Sequence, residues 1–268
     1  MIRLQPGNYF GQTTQVRHFG DFRITATRYA PGTFLPTHCH EQAYLLVSLR
    51  GATIESAMHR DHVCSRGWVV LNQAGESHCD KISDQGAEAL NIELPAAFVA
   101  QFGRRLAECP VQYRHAGGAL PAVGCLQIAM RSSDPLSRLA VEESVTTIVD
   151  YLTDGAASDR VTGAESLQAV EQIIRDRNGL TPSLDSLAAH AGVHPAHLCR
   201  QFRRTRGRTM TEFAASVRAD RALERVMSTD QPLSQISVEC GFSDQAHMTR
   251  MFRRFFETTP GRIRREAR

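Results

Sequence analysis

The chain has 268 residues, 42% of them hydrophobic and 22% charged, with a formal net charge of +3. That length allows one large domain or two modest ones, and that balance excludes a disordered or fibrous chain. No uninterrupted apolar run approaches membrane-spanning length and the opening MIRLQPGNYFGQTT has no apolar signal core, so a soluble, cytoplasmic protein with no membrane partner is expected.

From about Phe19 to Phe102, short alternating runs are broken by Gly, Pro, Asn and Asp. FRITATRYA, AYLLVSLRG, ATIESAMH, WVVLN and AEALNIEL read as strands of four to eight residues. The gaps PGTFLP, QAGESH and SDQG carry turn chemistry. Several short strands with regular turns point to a small β-barrel or sandwich, and closure would remove exposed edges. The seven cysteines, at 39, 64, 79, 109, 125, 199 and 240, form no short-spaced framework, which fits a reducing compartment.

The period changes at DPLSRLAVEESVTTIVDYLT, 134–153, where Leu136, Leu139, Val145, Ile148, Val149 and Leu152 follow helical spacing. Asp134 is a candidate N-cap with Pro135 in the first turn. DGAASDRVTGAES reads as a linker and sets a domain boundary at about 154–164. The division is therefore 1–133, 134–164 (helix and linker, with an apolar face that a dimer of the kind implied by the resemblance described below could use) and 165–268. The last part reads as all helix, with Asn178-Gly179 as a helix stop and Ser183 as a candidate N-cap. It is also the basic part: residues 161–268 carry 17 Lys and Arg against 12 Asp and Glu, whereas residues 1–160 carry 14 against 16. A polyanion partner for the C-terminal end fits that asymmetry.

A helix-turn-helix needs a small residue where its helices touch, a residue tolerant of the tight turn, and an apolar residue on the second helix facing the core. Ala188, Gly192 and Leu198 meet these needs, with Leu184 and Leu187 buried on the first helix. The arrangement recurs with Ser237, Gly241, Met248 and Phe252, where Leu233 and Ile236 face inward, Phe242 plugs the junction and Ser243 is a candidate cap. The outer face of the first reading helix is assigned His194, His197, Arg200, Gln201, Arg203 and Arg204. That of the second is assigned Asp244, Gln245, His247, Thr249, Arg250 and Arg253. Arg and Gln can bond base edges bidentately while further arginines pair with phosphate. Arg200, Gln201, Arg203, Gln245, His247 and Arg250 are the candidates for bases. Arg253, Arg254, Arg262, Arg264 and Arg265 are the candidates for phosphate.

SLDSLAAHAGVHPAHLCRQFRR and ISVECGFSDQAHMTRMFRRFFETTPGRIRR resemble the DNA-binding domain of the AraC/XylS (arabinose-operon regulator) family, through Gly241, Phe242, Ser243, Phe252, Thr259 and Pro260 and, between the units, Arg218, Arg221 and Ala222. His194 stands where that family often has a serine cap. The resemblance implies a transcription regulator that binds double-stranded DNA, with activation the commoner mode and RNA polymerase then a partner. It also implies dimerisation through the N-terminal part, hence a homodimer.

In PTHCHE, His38 and His40 alternate along a strand and point to one face, and His78 follows a turn. Two alternating histidines and a distant third suit a metal site in a small barrel. The stretch resembles a cupin through Gly32, His38, Gly67, Gly75 and His78, although Tyr44 and Leu45 occupy the region of the usual acidic ligand. The fold class expected is thus α+β in two domains, a cupin-like β-barrel followed by an all-α domain with two helix-turn-helix units. The preferred reading gives no cofactor and no enzyme activity: His38, His40, Tyr44, Trp68 and His78 contact a small-molecule effector. The alternative is a cupin-type metal-dependent enzyme, or a metal or redox sensor, fused to a DNA-binding module, with His38, His40 and His78 as ligands.

Overall fold

The computed structural model describes residues 1–57, 60–103, 106, 112–153 and 164–266. The linker expected at about 154–164 lies outside the described residues up to 163, and Ala164 already begins a helix. The chain packs as two compact units, one of residues 1–125 with 147–157 and the other of residues 126–146 with 158–268.

The first unit is built on a nine-stranded sheet. Its spine is a pair of long antiparallel strands, β5 (Tyr44–Ala57) and β8 (Ser77–Glu93). The free edge of β8 is shared by β3 (Phe22–Tyr29) and β4 (Phe34–His40). That of β5 is shared by β6 (Arg60–Ser65) and β7 (Trp68–Asn72). β2 (Gln12–Phe19) extends β3, β1 (Ile2–Leu4) extends β4, and β9 (Gln112–His115) extends β7.

The closed cupin-like barrel expected from the sequence is not formed. The path β1-β4-β8-β5-β7-β9 ends at strands that do not pair with each other, so the sheet is open. Two positions read as strand ends explain part of the difference. Gly51 and SDQG lie inside continuous strands, where Gly51 and Gly86 sit side by side at φ 68° and 72°. A Cβ on Gly51 would stand 1.9 Å from the Gly86 carbonyl oxygen, so the two glycines let both strands bend together without ending. The expected separate short strands are thus two long ones, each serving several partners along its length.

Helix α1 (Ala96–Phe102) leaves the sheet, and after β9 a 3₁₀ turn leads into α2 (Leu120–Arg131). Helix α3 (Ser137–Leu152) runs through the boundary between the units: its residues up to Thr146 pack with the second unit, and those from 147 with the first. Leu136, Leu139, Val145, Ile148, Val149 and Leu152 are all buried within this chain, so the apolar face expected to serve dimerisation is already covered.

The second unit is helical. α4 (Ala164–Asp176) stops where Asn178 and Gly179 turn left-handed. It is followed by α5 (Leu184–Ala191), α6 (Pro195–Arg206), α7 (Met210–Ser228), α8 (Leu233–Glu239), α9 (Gln245–Phe256) and α10 (Pro260–Glu266). One core gathers Leu184, Leu187, Ala188, Leu198, Phe202 and Phe213 around α5 to α7. A second gathers Ala222, Val226, Ile236, Phe242, Met248 and Phe252 around α7 to α9. Helix α7 contributes to both and carries a full capping box, Thr209 with Glu212.

Candidate nucleic-acid interface and buried pocket

Two helix pairs with the same local chemistry lie on either side of α7. In the first, Ser183 caps α5 and Gly192 takes the left-handed turn at φ 68°. His194 caps α6, its Nδ1 accepting from the Ala196 amide at 3.2 Å, so the imidazole fills the role a serine would. In the second, Gly241 turns at φ 77° and Asp244, rather than Ser243, caps α9 by accepting from the His247 amide. The small positions Ala188 and Ser237 are buried, as are Leu198, Phe242, Met248 and Phe252.

On α6, Arg203 and Arg204 are exposed and Arg200 is half-buried. Gln201 does not join them. It stands three residues after Leu198 and beside Phe202, on the inward face, and is 7% exposed; His197 is buried on the same face. On α9, Gln245, Arg250, Arg253 and Arg254 are exposed, and Thr249 is half-buried with its hydroxyl donating to the Gln245 carbonyl. Arg254 pairs with Glu212 of α7 at 3.0 Å. Arg203, Arg204, Arg250 and Arg253 have no ion pair with the described residues, so their guanidinium groups remain open to an outside anion. His247 points the other way: its Nε2 lies 3.1 Å from Asp134, and burial holds its pKa below the usual imidazole value.

The N-terminal histidines do meet. His38, His40 and His78 are buried, and each offers a ring nitrogen lying within 4.8 Å of the others. β4 places His38 and His40 on one face, and His38 pairs directly with His78 across β8. The rings pack at 4.2 to 5.6 Å between centroids, and Tyr44 lies 4.4 Å from His40. Burial lowers all three imidazole pKa values, His40 to about 3 and His78 to about 4, so the cluster is neutral at pH 7. Neutral imidazoles at this separation could share a single metal ion as well as an organic ligand. Trp68 lies apart, at the start of β7 and edge-on to His115, and does not line the cavity beside the histidines.

That cavity encloses about 20 Å³, room for about one water molecule. Its wall adds two groups that the motif reading passed over. Glu55 of β5 and Asp80 of β8 are cross-strand neighbours, both buried. The Tyr113 hydroxyl donates to Glu55 at 2.8 Å, and among the described residues no basic side chain pairs with either carboxylate. Burial raises both, to about 8 for Glu55, with Asp80 adding to the rise, and to about 7 for Asp80. The alternation in HCDKI, which sets His78, Asp80 and Ile82 on one face, carried this signal.

Comparison with known proteins bears on the C-terminal part above all. Residues 187–266 match the family model described as a helix-turn-helix domain. The chain is 27% identical over 154 residues to the HTH-type transcriptional regulator ArgR of Pseudomonas aeruginosa, a match covering 55% of this chain and 47% of that protein. It is 33% identical over 81 residues to the probable transcription factor PqrA of Proteus vulgaris, covering 30% of this chain and 66% of that one. A longer match, 23% identical over 250 residues, reaches 88% of this chain and 91% of the transcriptional activator RhaS of Yersinia pestis. Among solved structures, an AraC-type transcriptional regulator from Chromobacterium violaceum aligns at 25% identity over 38% of this chain and 92% of that one, with a TM-score of 0.37. The match to ArgR thus spans about half of that relative's length. No helix among the described residues is long and apolar enough to cross a membrane.

Proposed function

We propose that this chain is a sequence-specific DNA-binding transcription regulator of the AraC/XylS type. The observation that carries the reading is the duplication: two helix pairs, each with a side-chain-capped second helix, flank one long helix, and each second helix turns exposed arginines outward, Arg203 and Arg204 on one and Arg250 and Arg253 on the other. In this reading α6 and α9 enter successive major-groove segments of double-stranded DNA. Arg200, Arg203 and Arg204 serve one half-site, and Gln245, Thr249, Arg250, Arg253 and Arg254 the other. Residues 165–268 are the core of the reading domain and residues 1–133 a sensory part without enzyme activity. The long match to an activator favours activation, with RNA polymerase as a partner and a homodimer as the working form.

The sensory site is the cavity at His38, His40, Tyr44 and His78, where a small-molecule effector would contact neutral imidazoles and a tyrosine hydroxyl. At about 20 Å³ the cavity is smaller than an organic effector, so binding has to part its walls, and that displacement is what the reading domain would sense.

In vitro selection of random duplexes by the purified full chain tests the DNA reading. The expected product is a two-part motif with half-sites about 10–11 base pairs apart. Selection of no motif, with the effector pathway's candidate compounds present and absent, sinks it.

A further inference from the structure

Three carboxylates that lie outside residues 165–268 are built into the helical unit, all on or just before α3. Asp134 reaches the second helix pair. Its Oδ2 accepts from Arg218 Nη2 at 2.8 Å and lies 3.1 Å from His247 Nε2, while its Oδ1 accepts from the Leu136 amide at 2.8 Å. Arg218 is fully buried, donates also to the Gly241 carbonyl at 2.6 Å, and lies 5.1 Å over the Phe242 ring. A single anion thus fixes the turn of the second helix pair and a side chain of α9.

Glu142 reaches the first pair. Its Oε2 accepts from the Leu184 amide, the first residue of α5, at 2.6 Å, and its Oε1 accepts from Arg138 at 2.8 Å. Glu143 reaches the helix between the pairs: it accepts from the Met210 and Thr211 amides at 2.9 and 3.0 Å and from the Thr211 hydroxyl. An anion at the N-terminus of a helix satisfies amides that have no partner within the helix and meets the positive end of its dipole. Glu143 is buried, which raises its pKa, yet three donors converge on it.

We infer that Asp134, Glu142 and Glu143 are positioning residues for the DNA interface, a bracket that sets each helix pair from a segment preceding residue 165. The inference rests on the DNA-binding reading and adds its means of control. α3 continues past Thr146 into the other compact unit, so a shift of α3 changes the placement of α5, α7 and the Gly241 turn together. The structural start of the reading domain then lies before Asp134, not at α4.

The two ends of the bracket are separable. Asp134→Asn acts on the second pair alone and Glu142→Gln on the first alone. On duplexes selected by the wild-type full chain, hydroxyl-radical footprinting reads each half-site separately. Asp134→Asn is expected to weaken protection of the half-site read by α9 by about tenfold and leave the other within about twofold; Glu142→Gln gives the reverse pattern. Parallel loss at both half-sites in both variants means general destabilisation and overturns the inference, as does no loss at either. If the wild-type chain selects no DNA, the DNA-binding reading fails by itself. Amide hydrogen exchange then decides the bracket: it is expected to quicken at 241–248 in Asp134→Asn and at 184–186 in Glu142→Gln, and unchanged exchange there overturns it. Exchange in Glu143→Gln, expected to quicken at Met210 and Thr211, covers the case in which Asp134→Asn does not fold.

Discussion

Arg250 is exposed midway along α9, six residues after the Asp244 cap, and forms no ion pair with the described residues. Its removal costs the fold little, so its effect should appear in binding. Arg250→Ala is expected to weaken the selected duplex by about 1–3 kcal/mol and relax preference at one base position, measured by gel-shift titration. Arg253→Ala should instead weaken all sequences alike and lower the salt slope by about one. Affinity unchanged in both variants would exclude α9 as a reading helix. At this scale the sequence was legible where chemistry is local. The arginines could be suspected from their number, whereas His194, assigned to the outer face, proves to be the cap of α6. Gln201 shows the limit. It was assigned outward by its type, but its place on α6 is set by Leu198 and Phe202, and these turn it inward. The Asp134–Arg218 pair was beyond reach, since nothing local joins residues 84 positions apart.

Elements fail where backbone freedom is used up, and the glycines differ in how much they use. Gly192 takes a left-handed turn with open space around its α-carbon. Gly192→Ala therefore bears only the conformational cost, about 1–2 kcal/mol. Gly51 takes the same sign of φ with the Gly86 carbonyl against it. Gly51→Ala has to displace a strand as well and is expected to cost more than about 4 kcal/mol or to prevent folding. Urea titration of the two variants compares them directly, and equal losses would show that the β5–β8 bend is not tightly packed. The same glycines explain why helices were easier to read than strands. Helices α5, α6, α7 and α9 start at side-chain caps, whereas glycine in a strand marks an end or a shared bend alike, and only the partner strand distinguishes them. An open sheet was for this reason not distinguishable from a closed one.

Over the whole molecule, the buried ionisable groups of the first unit oppose each other in pH. Glu55 and Asp80 have raised pKa values in the folded chain, so the stability they contribute is present at low pH and lost as pH rises towards about 8. His38, His40 and His78 have lowered values, so their contribution is present above about 6.5 and lost as pH falls from there. The two slopes offset each other between about pH 4.5 and 6.5, and above that, of these five groups, the acid pair alone acts. The melting temperature is expected to fall between about pH 6.5 and 8, and Glu55→Gln to flatten that fall. A wild-type curve rising through that range would show that the carboxylates are compensated.

Helix α7 is anchored at its start by its own capping box and by Glu143, and Glu212 ties it to Arg254 of α9. A spacer held this way has a fixed twist as well as a fixed length. Each base pair inserted between two half-sites turns one about the duplex axis by about 34–36° relative to the other, and α7 has no joint with which to follow. Binding to the selected duplex should therefore tolerate changes of sequence at single positions better than the gain or loss of one base pair between half-sites, measured by gel-shift titration.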